Sequence, residues 1–276
     1  MHKKWLRFSV SALFLAMTVA CIWLGVITNR ANLQSKVVKA VQDAGGDVLY
    51  DHEQATPNGS NRPEPGILER TFGVDFSHSV VQVSLPDETH NVDELLPDIS
   101  RLPNLEKLIV GGDVSDAGTE HLSRCKKLTH FISCDTRLTD ETLKVLGRLR
   151  SLRYLDFATT DITNDGLKYL APLKELEQLL LWGEEITDEA MPHISQLTGL
   201  EQLHIQHCSV STEGLHHVTR LPKLKGLNVA PAKLDDSAVE IFKKLDKLTW
   251  LVLEGTGVSN SAIQELKTGK PKLAVH

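Results

Sequence analysis

Residues 152–163 read Leu-Arg-Tyr-Leu-Asp-Phe-Ala-Thr-Thr-Asp-Ile-Thr, and 176–187 read Leu-Glu-Gln-Leu-Leu-Leu-Trp-Gly-Glu-Glu-Ile-Thr. The two phrases share a register. Leu128, Leu152, Leu176, Leu200, Leu224 and Leu248 each open a unit of 24 residues. Leu105 precedes them by 23, Val80 begins an earlier and looser unit, and Leu273 opens a truncated last one. The third and fifth residues after each opener are apolar almost throughout, as in Leu155 and Phe157 or Leu203 and Ile205. That portion has a period of two, which predicts a strand with alternate side chains inward. Ten residues after most openers stands Leu138, Ile162, Ile186, Val210, Leu234 or Val258, followed by a Thr-Asp-like step. An apolar pair at helical spacing comes next, such as Leu143 with Leu146 or Met191 with Ile194. Thr and Asp ahead of that pair suit a helix N-cap. One such unit cannot bury both its faces, whereas stacked units share one core.

The pattern L-x-x-L-x-L, repeated at this period, resembles the leucine-rich repeat family. The phrases Leu-Thr-Asp-Glu-Thr-Leu (138–143), Ile-Thr-Asn-Asp-Gly-Leu (162–167) and Ile-Thr-Asp-Glu-Ala-Met (186–191) are similar to the I-T-D-x-G-L segment of its cysteine-containing, F-box-associated subclass. At the position that is Cys or Asn in that subclass stand Thr136, Thr160, Cys208 and Thr256, but Glu184 and Ala232 elsewhere. With its N-terminus included, the chain resembles bacterial single-span membrane proteins that carry such repeats. The resemblance implies an α/β solenoid with a curved parallel sheet on the concave face and helices on the convex face. It also implies a binding scaffold. No F-box precedes the repeats, so an adaptor role in ubiquitin ligation does not carry over.

Phe8 to Thr28 contains no charged residue. As a helix it would be about 31 Å long, enough for a hydrocarbon core of ~30 Å. Lys3, Lys4 and Arg7 precede it, and Trp5 and Trp23 lie towards its ends. The charge asymmetry predicts a cytoplasmic N-terminus and a body on the periplasmic side of an inner membrane. A cleaved export signal and a lipoprotein cut before Cys21 are the competing readings. The expected organisation is a tail and transmembrane anchor at 1–28, then a stalk helix, linker and N-terminal cap at 29–79. About eight repeats follow at 80–276. Within the middle segment a helix is expected at 30–44 and a short strand at 48–50. A loop is expected at 52–66, and a short helix and turn at 67–76 should cover the open end of the core.

In such units the residues flanking the inward leucines line the sheet's open face. The central row is Ser84, Ile109, Ile132, Asp156, Leu180, His204, Asn228 and Val252. Tyr154 and Trp250 stand in the row before it and Trp182 in the row after. Ile132, Tyr154, Leu180 and Trp182, with Asp156 and His204 among them, have the composition of an interaction hot spot. Trp250 is a weaker member near the C-terminal end. The competing reading is scattered surface hydrophobes.

Chemistry finds little support. The net charge is −6, and residues 1–28 contribute +3, so the rest carries −9. A body that acidic argues against nucleic acid, which needs a basic face. There is no Walker loop, G-x-S-x-G, H-E-x-x-H or C-x-x-C. Asp156 and His204 are two units, ~10 Å, apart, too far for a catalytic pair. No enzyme activity, cofactor, metal or small-molecule substrate is expected. His204, His207, Cys208, His216 and His217 are close in sequence, but strand and helix geometry points them apart. Asp113, Asp161, Glu184 and Glu185 read as a solvated acidic ridge. A Cys125–Cys134 disulfide is one reading for an oxidising compartment. Ser133 occupies an inward position and should hydrogen-bond to backbone there. Asn58-Gly59-Ser60 fits a glycosylation triplet. The expected function is therefore a membrane-tethered scaffold for an unidentified protein partner. The alternatives are a structural or self-associating envelope protein or, with a cytoplasmic body, a substrate adaptor.

Overall fold

The computed structural model describes residues 10–54, 67–134, 136–183 and 185–276. One ten-stranded sheet runs in chain order from end to end. Its strands are β1 (Asp47–Tyr50), β2 (Val80–Leu85), β3 (Lys107–Val110), β4 (His130–Cys134), β5 (Tyr154–Ala158), β6 (Gln178–Trp182), β7 (Gln202–Gln206), β8 (Gly226–Asn228), β9 (Trp250–Val252) and β10 (Ala274–Val275). β2 to β10 are parallel, and β1 closes the first end by pairing antiparallel with β2. Helical segments return the chain between strands, many as single α- or 3-10 turns, so the architecture is an α/β repeat solenoid.

Periodicity places the core. Leu108, Phe131, Leu155, Leu179, Leu203, Leu227 and Leu251 stand side by side on neighbouring strands, and all are fully buried. The unit openers Leu105 to Leu248 pack beneath them, with the helical residues Leu143, Leu146, Leu167 and Leu170 opposite. Each such leucine contributes about 1.5–3 kcal/mol by leaving water.

The Thr-Asp step does more than cap. Thr139, Thr187 and Ser211 accept their own helix N–H groups, as an N-cap should. Where an acidic residue follows the cap position, it reaches the next unit. Asp116 accepts the N–H and hydroxyl of Thr139 at 3.0 and 2.7 Å, and those of Thr142 at 3.2 and 2.6 Å. Asp140 holds Thr163, Asp188 holds Ser211 and Asp236 holds Ser259 in the same way. Burial works against the Asp116 carboxylate, but the Thr139 and Thr142 donors outweigh it and hold its pKa down. The ladder also explains the glycines of the motif. A Cβ at Gly166 or Gly214 would lie under 3.0 Å from the carboxylate of Asp140 or Asp188.

The N-terminal segment forms the expected helix, short strand and short helical turn, with one addition. The apolar run and the expected stalk are one uninterrupted helix, Val10–Asp43. Its last part is the cap: Gln34, Val37 and Val41 are buried. The Gln34 side chain donates to Asp75 and to the His78 carbonyl, and it accepts the Val80 N–H. The expected turn at 67–76 forms two short helices, Ile67–Phe72 and Val74–Ser77, the latter packed on the long helix. The expected loop at 52–66 begins helically, at Asp51–Gln54, and the rest of it, with Asn58-Gly59-Ser60, lies outside the described residues.

One open reading is settled and one local expectation fails. Cys125 and Cys134 are not disulfide-bonded, because one precedes β4 by five residues and the other ends it, at opposite edges of the sheet. Ser133 is satisfied by the Thr136 hydroxyl at 2.7 Å rather than by backbone. A short side-chain pair fills that inward position and avoids an unmet donor.

Candidate functional site

Inward leucines on parallel strands leave the intervening residues on one outward face. Ile132, Asp156, Leu180 and His204 are register partners on β4, β5, β6 and β7, and Asn228 and Val252 continue the row. Asp156 thus stands between two aliphatic side chains on adjacent strands. Burial raises its carboxyl pKa, and the Tyr154 hydroxyl, donating at 3.3 Å, offsets only part of that. Tyr154 is itself pushed up to about 12 by burial and by Asp156. Its ring stacks on His130 of β4, with centroids 5.5 Å apart.

Trp182 ends β6 and is 48% exposed. Its indole stacks on His207 at 5.0 Å with an interplanar angle of 6°. His207 has a positive φ of 54°, a backbone state uncommon for a non-glycine residue, at the bend after β7. Trp250 joins from farther away. Gly226 on β8 has no side chain, and the Trp250 ring lies over it, where a Cβ would collide. The indole comes to 5.2 Å from the His204 ring, two strands distant. Burial lowers the His204 pKa, which favours the neutral imidazole. All seven predicted residues therefore lie on one face. Ile132, Tyr154, Asp156, Leu180 and Trp182 occupy three adjacent strands, and His204 links them to Trp250.

Sequence spacing missed the role of three histidines. His130 and His207 support Tyr154 and Trp182 by stacking, and His204 meets Trp250. Only the strand register shows these pairings. Of the other residues read as histidine-metal or acidic-ridge candidates, His204 is on the outward face and Cys208 is buried, as geometry requires of them. Asp113 serves the fold, accepting the N–H groups of Asn91 and Val92, while Asp161 and Glu185 are exposed and Glu184 lies outside the described residues. A separate polar group sits in the cap: Asp51, His52 and His78 bring one ligand atom each within 4.8 Å of one another. The His78 ring nitrogen is 3.1 Å from Asp51. No spacing signal announces that group, because a 25-residue gap separates its histidines. The larger cavities among the described residues lie at the turns and the N-terminal cap, and Ile132, Asp156, Leu180 and His204 line none of them.

No family model matches the chain, and no curated protein does. Solved structures do match it. A crystal structure of an internalin from Listeria monocytogenes aligns with a TM-score of 0.51 over 70% of this chain at 19% identity. The fold is that of a leucine-rich repeat protein. This chain spans 57% of the internalin chain, and at that identity the likeness concerns the repeat fold alone. At the other end of the molecule, the N-terminal helix is long and apolar enough to cross a membrane, a property that anchors and signal sequences share.

Proposed function

We propose that the protein is a membrane-tethered, non-catalytic leucine-rich repeat scaffold. It is held by residues 8–28 with its repeats on the extracytoplasmic side, and it binds a protein partner through the outward, concave face of its sheet. One observation carries the reading. Two aliphatic side chains, Ile132 and Leu180, flanking the Asp156 carboxylate, with an exposed indole braced on a histidine, occupy the part of the strands that stacking does not need. Rigid aromatics lose little entropy on contact and suit hot spots. Asp156 adds a chemical requirement. A partner that covers it removes its remaining water, so the partner has to bring a donor or a cation.

The test is a Tyr154→Ala/Trp182→Ala double variant, presented in the full-length protein. Capture of the partner should fall by at least ~100-fold while the unfolding midpoint changes little, since two hot-spot aromatics contribute about 2 kcal/mol or more each. Undiminished capture would remove the site. The self-associating alternative predicts instead that the captured species is the chain itself.

A further inference from the structure

The charges of the solenoid are sorted by edge. Because β2 to β10 are parallel, every strand enters the sheet at one edge and leaves at the other. The eight turns that lead into β3–β10 carry thirteen lysines and arginines against five carboxylates. Among the described residues, the eight turns that leave β2–β9 carry nine carboxylates against Arg137 and Lys233. An overall net charge of −6 therefore conceals a basic edge and an acidic edge.

Much of the basic edge is not neutralised. Arg101, Arg153 and Lys225 pair with Asp98, Glu177 and Glu201. Lys126, Lys127, Arg148, Arg150, Lys223 and Lys247 are exposed and form no ion pair with a described residue. Some of these side chains point along the edge to the neighbouring unit: Lys127 donates to Asn104 at 2.7 Å and Arg150 to the Pro172 carbonyl at 2.6 Å.

The N-terminal helix independently identifies what this edge faces. Arg30 bonds Ser79, the residue before β2, and Leu33 shares a cleft with Arg101, Arg124, Lys126 and Lys127. Ten residues on, Asp43 and Ala44 lie beside Glu88 and Asn91 at the acidic edge. The helix thus crosses the end of the solenoid from basic edge to acidic edge. Its apolar half projects outward from the basic edge, exposed along nearly its whole described length. From Thr28, the last apolar-run residue, to Leu33 the helix rises only about 7.5 Å. That is within a Debye length of ~8–10 Å.

We propose that the basic edge lies against anionic phospholipid headgroups of the membrane that the helix crosses. The strands then stand upright on the bilayer and the sheet extends along it for roughly 40 Å. The acidic edge points away from the anionic surface, and the outward face opens sideways, unobstructed by lipid. This arrangement rests on the tethering proposed above. It deepens that reading by fixing which way the scaffold stands.

The test is lysine footprinting of the full-length protein in lipid nanodiscs, with a water-soluble amine-acylating reagent and mass spectrometry. Discs of phosphatidylcholine alone are compared with discs containing phosphatidylglycerol. In the anionic discs, Lys126, Lys127, Lys223 and Lys247 should react about fivefold more slowly, as expected for side chains held at a charged surface. Lys233 on the opposite edge should keep its rate and serves as the internal reference. High salt should abolish the difference. A disc-bound protein whose basic-edge lysines react like Lys233 in both lipids would overturn the edge assignment alone. A protein that does not co-purify with discs would overturn the tethering, and the edge proposal with it.

Discussion

Two rows of the same strands carry different kinds of information. The inward row, from Leu108 to Leu251, is leucine at every strand but one, and all of it is buried. The central outward row beside it runs Ile109, Ile132, Asp156, Leu180, His204, Asn228 and Val252. Backbone pairing and spacing are common to both. Stacking of units dictates the first row and leaves the second unconstrained. Repetition therefore marks what holds the solenoid together, and its breakdown marks where recognition can be encoded.

The contrast breaks most severely from the inside. Phe131 is fully buried, with its ring centroid 6.0 Å from that of Phe157. Phe131→Ala should cost about 3–5 kcal/mol in denaturant unfolding. Next comes the ladder between units. Asp116→Ala removes four hydrogen bonds and leaves Thr139 and Thr142 donors unmet. The expected loss is about 2–3 kcal/mol, whereas the exposed Asp161→Ala should stay within about 0.5 kcal/mol.

The outward row should respond differently. Asp156→Asn should raise stability at neutral pH by about 1 kcal/mol or less, because a half-buried carboxylate is being relieved of its charge. The sign follows from linkage. A folded-state pKa above the unfolded one means that the native protein binds the proton more readily. Wild-type stability therefore gains as pH falls through the carboxylate range, and the advantage of the variant disappears there. Thermal unfolding of both proteins across that range reads it directly. The smallest effect is expected for Trp182→Ala. An indole that is 48% exposed gives up under about 1 kcal/mol of fold stability on truncation, so a larger loss would mean that the residue serves the core.

The fold was legible because a 24-residue period with two sub-periods admits few structures. The outward row was legible for the same reason, since a strand with known inward residues fixes its outward ones. Other features were hidden in the sequence. The stacking of His130 and His207 depends on strand register and on a positive-φ bend. The passage of Trp250 over Gly226 depends on an absent side chain. Asp116, Asp140, Asp188 and Asp236 read as local N-terminal signals, and only stacking shows that each grips the following unit. The apolar run and the cap helix read as separate elements because their compositions differ. A helix needs no change of geometry to pass from an exposed apolar run to a packed cap, and here it does not break.

The most direct test of the central claim places a photo-crosslinking residue at position 180, on the outward row, in the full-length protein in its native membrane. The same residue at position 189, on the exposed helical side, is the comparison. Recognition through the outward face should give a discrete adduct from position 180, none from position 189, and loss of the adduct when Tyr154 and Trp182 are replaced by Ala. No adduct from 180, or an adduct that survives those replacements, would contradict recognition through the outward face.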